Sequence, residues 1–420
     1  MKSICGLILA AGKGTRLKSS LPKYRHKIAG WSLLRHSIEN LRGAGIDDIY
    51  VLAGFGESEF IDKNFSVSTI EQKRRTGTAD ALLIALKNIP KKYKTIVLLY
   101  VDVVLLKAKT IKSLLSKHNR DNSDITLLTM ELDVPKGYGR VLSNESGNMV
   151  AVKEEDLLNK SEKKIKEVNV GVYIFKRKNS LERDLCSIKP KGDKKEKYLT
   201  EIFPIYNKRG LKVLALKLKD INEGLGINSR RELVEANKIL YRRNADEHIL
   251  KGVSILSPEN TFIERDVAIG RDTVIYPFAY IGFGVRIGEN CIIGPSCRIK
   301  GGSRIGNNVK VENFAEISHS EIDNNSKIKH FSYIGDASVG KSVNIGAGTV
   351  IANYDGRRKN KTVIKDNAFI GSNTTLVAPV EIGKGVITGA GSVVTKNSKI
   401  ADNSVIVGVP AKILRRRRDG

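Results

Sequence analysis

The residues nearest the amino terminus that could do chemistry form a basic, glycine-rich turn. Gly12-Lys13-Gly14-Thr15-Arg16 follows an apolar run over 4–11, and Leu21-Pro22-Lys23 comes shortly afterwards. Such a turn lets backbone N–H groups approach phosphate oxygens, and Arg16 and Lys23 can neutralise the charge of a triphosphate. The turn lacks the G-x-x-x-x-G-K-[ST] pattern of a Walker A loop. It predicts a phosphate site after a buried strand, with a purely structural turn as the alternative.

The elements that must position this turn alternate between strand-like and helical runs over residues 1–228. Apolar runs predict strands at 4–10, 48–53, 95–101 and 124–130, and helical spacing predicts helices at 31–41 and 79–86. This alternation indicates an α/β domain with a mainly parallel, Rossmann-like sheet. Residues 229–252 are interpreted as a linker, because the apolar residues of 230–240 have helical spacing.

The second half of the chain repeats every six residues. Aliphatic residues occupy the repeating position at Ile263, Ile269, Ile275, Ile281, Ile287, Ile293, Ile299, Ile305, Val311 and Ile317. An α-helix would spread this period around its surface, whereas three short strands per coil place each aliphatic residue inward. The repeat predicts a parallel β-helix over 253–413 whose stacked coils share one aliphatic column.

The six-residue register is interrupted at places that differ in character. It slips to Ile322 and again to Val339, and the polar segment Asn353–Lys359 separates Ile351 from Ile364. Solenoids carry such insertions on a functional face. The segment is therefore predicted to be a functional loop.

Composition narrows the classes of function. The 420 residues carry a formal net charge of +27, which raises the possibility of a nucleic-acid partner. However, no helix-turn-helix, zinc-finger or RNA-recognition pattern is present, and no aromatic residues alternate with the charges. A solvated basic surface that attracts phosphorylated small substrates is the preferred interpretation. Four scattered cysteines suit a reducing cytoplasm, and no apolar stretch approaches the roughly 20 residues of a membrane helix.

The amino-terminal motif resembles that of the sugar-1-phosphate nucleotidyltransferases, which begins L-x-x-G-x-G-T-R and continues to P-K. Every one of those residues is present between Leu9 and Lys23. Over nearly its whole length the chain is similar to the bacterial bifunctional UDP-N-acetylglucosamine pyrophosphorylases/glucosamine-1-phosphate N-acetyltransferases. This resemblance implies a left-handed parallel β-helix of hexapeptide repeats behind the α/β domain, with acetyl-CoA and UTP as co-substrates and Mg²⁺ as cofactor.

For the nucleotidyltransferase half, the resemblance implies the following residue roles. Arg16 and Lys23 are catalytic, and Asp102 and Asn228 hold Mg²⁺. The implied nucleotide-binding residues are Leu9, Ala11, Gly12, Gly14, Gln72, Gly77 and Thr78, and the implied sugar-binding residues are Gly139, Glu154 and Asn169.

For the β-helix, the resemblance implies that His330 is catalytic. Acetyl transfer to an amine needs a base near neutral pH, which an imidazole provides. The implied sugar-phosphate ligands are Lys300, Tyr333, Asn344 and Lys359, and those near the acetyl-CoA are Asn353, Tyr354 and Ser372. Acetyltransferases of this kind place the active site between subunits, so the resemblance also implies a homotrimer.

Several positions depart from the family pattern. Val101 stands where the family has glycine before the metal-binding aspartate, and Trp31-Ser32 replaces Lys-Pro. In the β-helix, Lys300 replaces an arginine and loses its bidentate fork, while Ser318 replaces a lysine. These changes put nucleotide affinity and the identity of the amino-sugar acceptor in question.

Two other functions compete with the bifunctional interpretation. One is a nucleotidyltransferase whose β-helix serves only as an oligomerisation scaffold, or acetylates a different amino sugar. The other is a non-enzymatic subunit similar to the translation-initiation exchange factors, which Arg16, Lys23 and Asp102 argue against. The purpose of Arg415–Arg418, in a basic segment predicted at 414–420, is not indicated by any pattern.

Overall fold

The computed structural model describes residues 3–12, 14–145, 149–192 and 195–416. Lys13 of the glycine-rich turn, and Arg417 and Arg418 of the basic segment, lie outside these residues. Backbone contacts divide the chain into two compact units, residues 1–236 and 237–420. The division falls within a single helix, and the domain limits given above remain predictions.

The first unit contains one main sheet and a separate two-stranded sheet, with helices along the chain between the strands. Its strands are β1 Ile4–Leu9, β2 Lys27–Ile28, β3 Trp31–Ser32, β4 Ile49–Gly54, β5 Ser68–Gln72, β6 Thr95–Tyr100, β7 Ile125–Glu131, β8 Arg140–Ser143, β9 Met149–Lys153, β10 Glu167–Lys176 and β11 Val213–Lys217. Its helices are α1 Leu33–Gly43, α2 Ser58–Asn64, α3 Thr78–Asn88, α4 Ala108–Arg120, α5 Asn179–Ser187 and α6 Ile202–Lys208. The helix α7, Arg230–Ile249, follows.

The main sheet has the strand order β11-β7-β10-β6-β1-β4-β5. Pairing is parallel between β1 and both β4 and β6, whereas β10 runs antiparallel to β6 and β7. The central strand β1 reads Ile-Cys-Gly-Leu-Ile-Leu and is buried along its middle, as expected for a strand covered on both faces. The predicted mainly parallel α/β sheet is confirmed.

The start of the first helix differs from the prediction. Trp31 and Ser32 form the short strand β3 instead of opening the helix, which begins at Leu33. The reason is local, because Ser32 caps the helix: its Oγ accepts a hydrogen bond from the Arg35 N–H at 3.2 Å.

The second unit is a parallel β-helix. Its strands are β12 Ser254–Ile255, β13 Phe262–Ile263, β14 Ala268–Ile269, β15 Val274–Ile275, β16 Tyr280–Ile281, β17 Arg286–Ile287, β18 Ile292–Ile293, β19 Arg298–Ile299, β20 Arg304–Ile305, β21 Lys310–Val311, β22 Glu316–Ser318, β23 Glu321–Ile322, β24 Lys327–Ile328, β25 Tyr333–Gly335, β26 Ala337–Val339, β27 Asn344–Ile345, β28 Val350–Ala352, β29 Thr362–Ile364, β30 Phe369–Ile370, β31 Thr375–Val377, β32 Val380–Ile382, β33 Ile387–Thr388, β34 Val393–Val394, β35 Lys399–Ile400, β36 Ser404–Val407 and β37 Lys412–Arg416. Every third strand stacks into the same sheet, so three sheets enclose the core; we call the sheets that begin with β12, β13 and β14 the first, second and third sheets.

The six-residue repeat positions fill this core as predicted. All ten aliphatic residues from Ile263 to Val311 and Ile317 are buried, and so are Ile322, Ile328 and Ile334 after the register slip. The slip shortens one coil, because Val311 pairs with Ile328, whereas Ile293 pairs with Val311. The last strand, β37, pairs antiparallel with β36, so residues 414–416 lie in a strand within the predicted basic segment.

Candidate active sites

The glycine-rich turn opens onto a cavity of about 600 Å³ in the first unit. The carboxyl ends of the parallel strands β1, β5 and β6 meet here, which is where open α/β sheets bind ligands. All the predicted nucleotide-binding residues line the cavity, namely Leu9, Ala11, Gly12, Gly14, Gln72, Gly77 and Thr78. The predicted catalytic Lys23 and metal-binding Asp102 line it as well.

Three of the predicted residues meet at the ammonium group of Lys23. Lys23 Nζ donates to Asp102 Oδ2 at 2.6 Å and to Asn228 Oδ1 at 2.8 Å. The backbone holds the two oxygen-bearing residues together, because the Ile227 N–H donates to the Asp102 carbonyl at 3.1 Å. Although 205 positions separate Lys23 from Asn228 along the chain, the fold brings both to the end of β6.

This donor set fits a magnesium ion. Two oxygen atoms already surround one cationic position, and Mg²⁺ prefers a few protein oxygens completed by substrate phosphates and water. Within the described ranges, no group of three or more His, Cys, Asp or Glu residues is arranged to hold a metal. The remaining ligands would therefore have to come from the phosphates and from water.

Arg16 occupies a different position from its predicted partners. It is exposed in a short turn of 3-10 helix, Thr15–Leu17, and is not among the residues that line the cavity. Arg16 is two residues beyond Gly14 in the chain, and its catalytic role remains a prediction.

Sequence reasoning missed Arg75 in this site. Arg75 lines the cavity, and its Nε donates to the Ala11 carbonyl of the glycine-rich turn. Gly54 makes room for it, since a Cβ at that position would lie 2.7 Å from Arg75 Nη2. Arg75 lies between the predicted Gln72 and Gly77, so the segment itself was the available signal.

The predicted sugar-binding residues share neighbouring strands and adjoin the cavity. The Asn169 N–H donates to the Gly139 carbonyl at 2.9 Å, and Asn169 Nδ2 donates to Tyr173 Oη at 2.6 Å. Tyr173 packs edge-on against Tyr100, which lines the cavity. Glu154 accepts a hydrogen bond from Thr200 Oγ1 at 3.0 Å, and burial raises the pKa of its carboxyl group.

Val101, which stands where the family has glycine, lies in the same cavity. Val101 is buried and lines the cavity beside Asp102. A branched side chain therefore occupies part of the space where a glycine would expose backbone.

In the β-helix, His330 lies at the turn between the first and second sheets. Its Nδ1 is 2.9 Å from Glu312 Oε2 on the coil below, and its side chain is 47% exposed. Lys329 Nζ donates to the other oxygen of the same carboxylate at 2.6 Å. Sequence reasoning missed Glu312, because its contact with His330 joins two different coils.

Other predicted residues of this half lie along the second sheet. A Cβ at Gly335 would lie 2.6 Å from Asn353 Nδ2 and 2.7 Å from Tyr333 Oη, so these two side chains meet over a glycine. Lys300 Nζ lies 2.5 Å from Glu316 Oε1. Ser318, in the position of the family's lysine, is buried and offers no charge.

The loop predicted from the interrupted repeat lies at a different corner, between the second and third sheets. Asp355 orders it by accepting the Arg357 and Arg358 N–H groups at 3.0 and 2.9 Å, and these bonds, that of Arg358 first, lower the pKa of its carboxyl group. Tyr354 and Lys359 form a bridge across the loop, and Tyr354 is exposed. In the part of the chain that the structure describes, no hydrogen bond or ion pair joins His330 to this loop.

Two further predicted residues also lie apart from His330. Asn344 points outward from the first sheet. Ser372 lies in the turn between the first and second sheets that is equivalent to the His330 turn but two coils further along. The predicted acetyl-transfer residues thus occupy several faces of one β-helix.

Family models match both halves of the chain. Residues 6–152 match a MobA-like NTP transferase domain, residues 257–354 match a GMPPB C-terminal domain, and residues 361–396 match six repeats of the bacterial transferase hexapeptide. Among the described residues, no helix is long and apolar enough to cross a membrane.

Full-length relatives also match. The chain is 39% identical to the bifunctional protein GlmU of Carboxydothermus hydrogenoformans, covering 93% of this chain and 95% of the relative. It is 40% identical to that of Pelotomaculum thermopropionicum over 90% of each chain. A solved structure, UDP-glucose pyrophosphorylase complexed with UDP-glucose, covers 58% of this chain and 100% of its own at 18% identity, with a TM-score of 0.48.

Proposed function

Since the chain belongs to the GlmU family of bifunctional proteins, which join a nucleotidyltransferase to a hexapeptide acetyltransferase, we propose how its residues divide the synthesis of UDP-N-acetylglucosamine. The β-helix acetylates glucosamine 1-phosphate with acetyl-CoA. The α/β domain then joins the N-acetylglucosamine 1-phosphate to UTP and releases pyrophosphate. The observation that carries the proposal is the convergence of Lys23, Asp102 and Asn228 in the cavity of the glycine-rich turn.

In uridylyl transfer, a phosphate oxygen of the sugar attacks the α-phosphorus of UTP while pyrophosphate leaves. The backbone of the glycine-rich turn and the Lys23 ammonium bind the triphosphate and stabilise its developing charge. Bound Mg²⁺, held by Asp102 and Asn228, would supply further charge neutralisation. Gly139, Glu154 and Asn169 orient the sugar, and Arg16 reaches the phosphates from its exposed turn.

In acetyl transfer, His330 removes a proton from the ammonium group of the sugar. The free amine attacks the thioester carbonyl, the C–S bond breaks, and the thiolate of coenzyme A leaves and takes up a proton. An exposed imidazole can carry out this proton removal at neutral pH. Lys300, Tyr333, Asn344 and Lys359 bind the sugar phosphate, and Asn353, Tyr354 and Ser372 lie near the acetyl-CoA.

The assembly that we propose is a cytoplasmic homotrimer. His330 and the Asn353–Lys359 loop occupy different corners of one β-helix. A site that uses both therefore needs the loop of a neighbouring subunit. The basic surface would draw in phosphorylated substrates rather than nucleic acid.

A specific observation favours one alternative for the β-helix. Ser318 is buried and uncharged, and Lys300 is already paired with Glu316. Both positions correspond to cations that bind the acceptor phosphate in the family. The β-helix would then acetylate a different amino sugar or serve only in oligomerisation.

A paired assay on the purified chain tests the proposal. One reaction contains glucosamine 1-phosphate and acetyl-CoA and follows free thiol; the other contains N-acetylglucosamine 1-phosphate, UTP and Mg²⁺ and follows pyrophosphate. We expect turnover in both. Release of pyrophosphate without release of thiol would support the alternative for the β-helix. No turnover in either reaction would overturn the proposal.

A further inference from the structure

We propose that Glu312 is a positioning residue for His330: it holds the imidazole with the proton on Nδ1 and leaves Nε2 as the base that removes the proton from the ammonium group of the sugar. The inference rests on the acetyl transfer proposed above. It assigns a role in that reaction to a residue that no sequence motif indicated.

The position of Glu312 within the β-helix is unusual. In the first sheet, the residue after the inward-facing one is glycine in four coils, at Gly294, Gly346, Gly371 and Gly389. Two successive coils carry Glu312 and Lys329 there instead. The Glu312 N–H donates to the Ile328 carbonyl at 2.9 Å, which places Glu312 directly beneath Lys329 and next to His330. The carboxylate is therefore built into the turn that carries the imidazole.

The contacts of the carboxylate determine the tautomer of the histidine. Glu312 Oε1 accepts from Lys329 Nζ at 2.6 Å, while Oε2 lies 2.9 Å from His330 Nδ1 and 3.2 Å from the His330 backbone nitrogen. Burial alone would raise the pKa of Glu312, but hydrogen bonds from Lys329 and His330 outweigh it and lower the pKa. An ionised carboxylate can only accept hydrogen bonds, so Nδ1 must be the donor.

The aromatic neighbours further restrict the ring. Phe331 meets His330 edge-on at 5.7 Å and stacks on Phe314 of the coil below at 5.2 Å. The backbone of Phe331 has a φ of 56°, a left-handed conformation that a bulky residue seldom adopts and that fixes the course of the turn. Within the described residues, no protein group hydrogen-bonds to His330 Nε2, and the half-exposed ring leaves that nitrogen open to a substrate.

A simpler role for Glu312 is an ion pair that joins two coils through Lys329. The chain offers a matched control for this role, because Lys365 Nζ and Glu381 Oε1 form a similar pair between coils at 2.7 Å. Their exposures of 48% and 37% are close to the 37% and 34% of Lys329 and Glu312. Within the described residues, Glu381 forms no hydrogen bond or ion pair with a histidine, so Glu381→Ala removes an ion pair between coils without touching an imidazole.

The kinetic test compares Glu312→Ala, Glu312→Gln and Glu381→Ala in the full chain. We expect Glu312→Ala to lower kcat for acetyl transfer about 10- to 100-fold, with KM for both substrates changed less than threefold, because a positioning residue acts on the reacting step. Glu312→Gln should restore part of kcat, since its amide oxygen can still accept from Nδ1. Glu381→Ala should stay within twofold, and uridylyl transfer should be unchanged in all three. Equal losses in Glu312→Ala and Glu381→Ala, or no loss in either, would overturn the proposal.

A substrate-free measurement separates this inference from the proposed function. ¹⁵N NMR of the histidine-labelled chain distinguishes protonated from unprotonated ring nitrogens, and His330→Asn identifies the His330 signals among the six histidines. We expect the Nδ1–H tautomer in the unaltered chain and a mixture in Glu312→Ala. The same tautomer in both would overturn the role of Glu312. If the unaltered chain transferred no acetyl group, the proposed function would fail. The spectrum alone would then decide whether Glu312 fixes the tautomer of His330.

Discussion

The two halves of the chain gather their functional groups in opposite ways. In the α/β unit, loops after β1, β5 and β6 bring the predicted nucleotide-binding residues, Lys23 and Asp102 into one cavity of about 600 Å³. In the β-helix, His330 lies at one corner, while Tyr354 and Lys359 lie at another. One chain therefore brings the predicted residues of the first site together, but it leaves those of the second site at separate corners.

The architecture of each half explains this difference. A twisted parallel sheet converges its loops at one edge, whereas a solenoid stacks equivalent turns in separate columns that never meet within one chain. Because His330 and the Asn353–Lys359 loop lie in different columns, a pocket that uses both would need a neighbouring surface. The first site should accordingly respond to changes within one chain, and the second should also depend on assembly.

The largest effect that we expect is on acetyl transfer in His330→Asn. Loss of the general base should lower kcat about 10³-fold, while uridylyl transfer should stay within twofold because its residues lie in another unit. Thiol release and pyrophosphate release, measured on the same preparation, check this. A comparable loss in both reactions would mean that the halves do not act separately.

Lys23→Ala should produce the reciprocal result. Its ammonium bonds to both Asp102 and Asn228 in the cavity, so uridylyl transfer should fall about 100-fold while acetyl transfer is unchanged. Lys166→Ala is the control, because Lys166 forms an exposed pair with Asp133 at 2.8 Å and does not line the cavity. Equal effects of the two substitutions on pyrophosphate release would contradict the assignment of Lys23.

Stability should fall in acid, and two buried histidines, His118 in the first unit and His248 in the second, contribute to the loss. Burial lowers the pKa of His118 and of His248 from 6.5 to about 4, so the unfolded chain binds protons that the folded chain excludes. Each contributes its full stabilisation above pH 6.5, and about 2 kcal/mol of it is lost as the pH falls from 6.5 to 5. Denaturant unfolding at pH 7 and pH 5 measures the loss.

Substitution of each histidine tests the source of that loss. His118→Gln and His248→Gln should each reduce the pH dependence, and should do so in the unfolding transition of their own unit. An unchanged slope in both variants would show that other groups titrate on unfolding.

Arg75→Ala should have the smallest effect. Arg75 lines the nucleotide cavity and holds the Ala11 carbonyl, so its loss should raise KM for UTP about tenfold with little change in acetyl transfer. The adjacent Arg74→Ala is the matched control, because Arg74 is exposed and does not line this cavity. A larger effect in Arg74→Ala than in Arg75→Ala would contradict the site.

The sequence predicted regular features well because their physical cause is local. The period of six placed Ile299, Ile317 and Ile334 in the core, and the glycine-rich turn followed β1 as expected. Arg75 was missed because it lies in a polar run without periodicity, and its partner Ala11 is 64 positions away. Glu312 was missed because the shortened coil hides its alignment beneath Lys329.

The central claim is that the two halves of the chain catalyse separate reactions, and the most direct test is to mix two variants, each inactive in one half. Asp102→Asn should lose uridylyl transfer and His330→Asn should lose acetyl transfer, so neither alone converts glucosamine 1-phosphate, acetyl-CoA and UTP to UDP-N-acetylglucosamine. We expect the acetylated sugar phosphate to be released between steps, so an equimolar mixture of the two should form the product. A mixture that forms none, although each variant retains its intact half-reaction, would contradict the account.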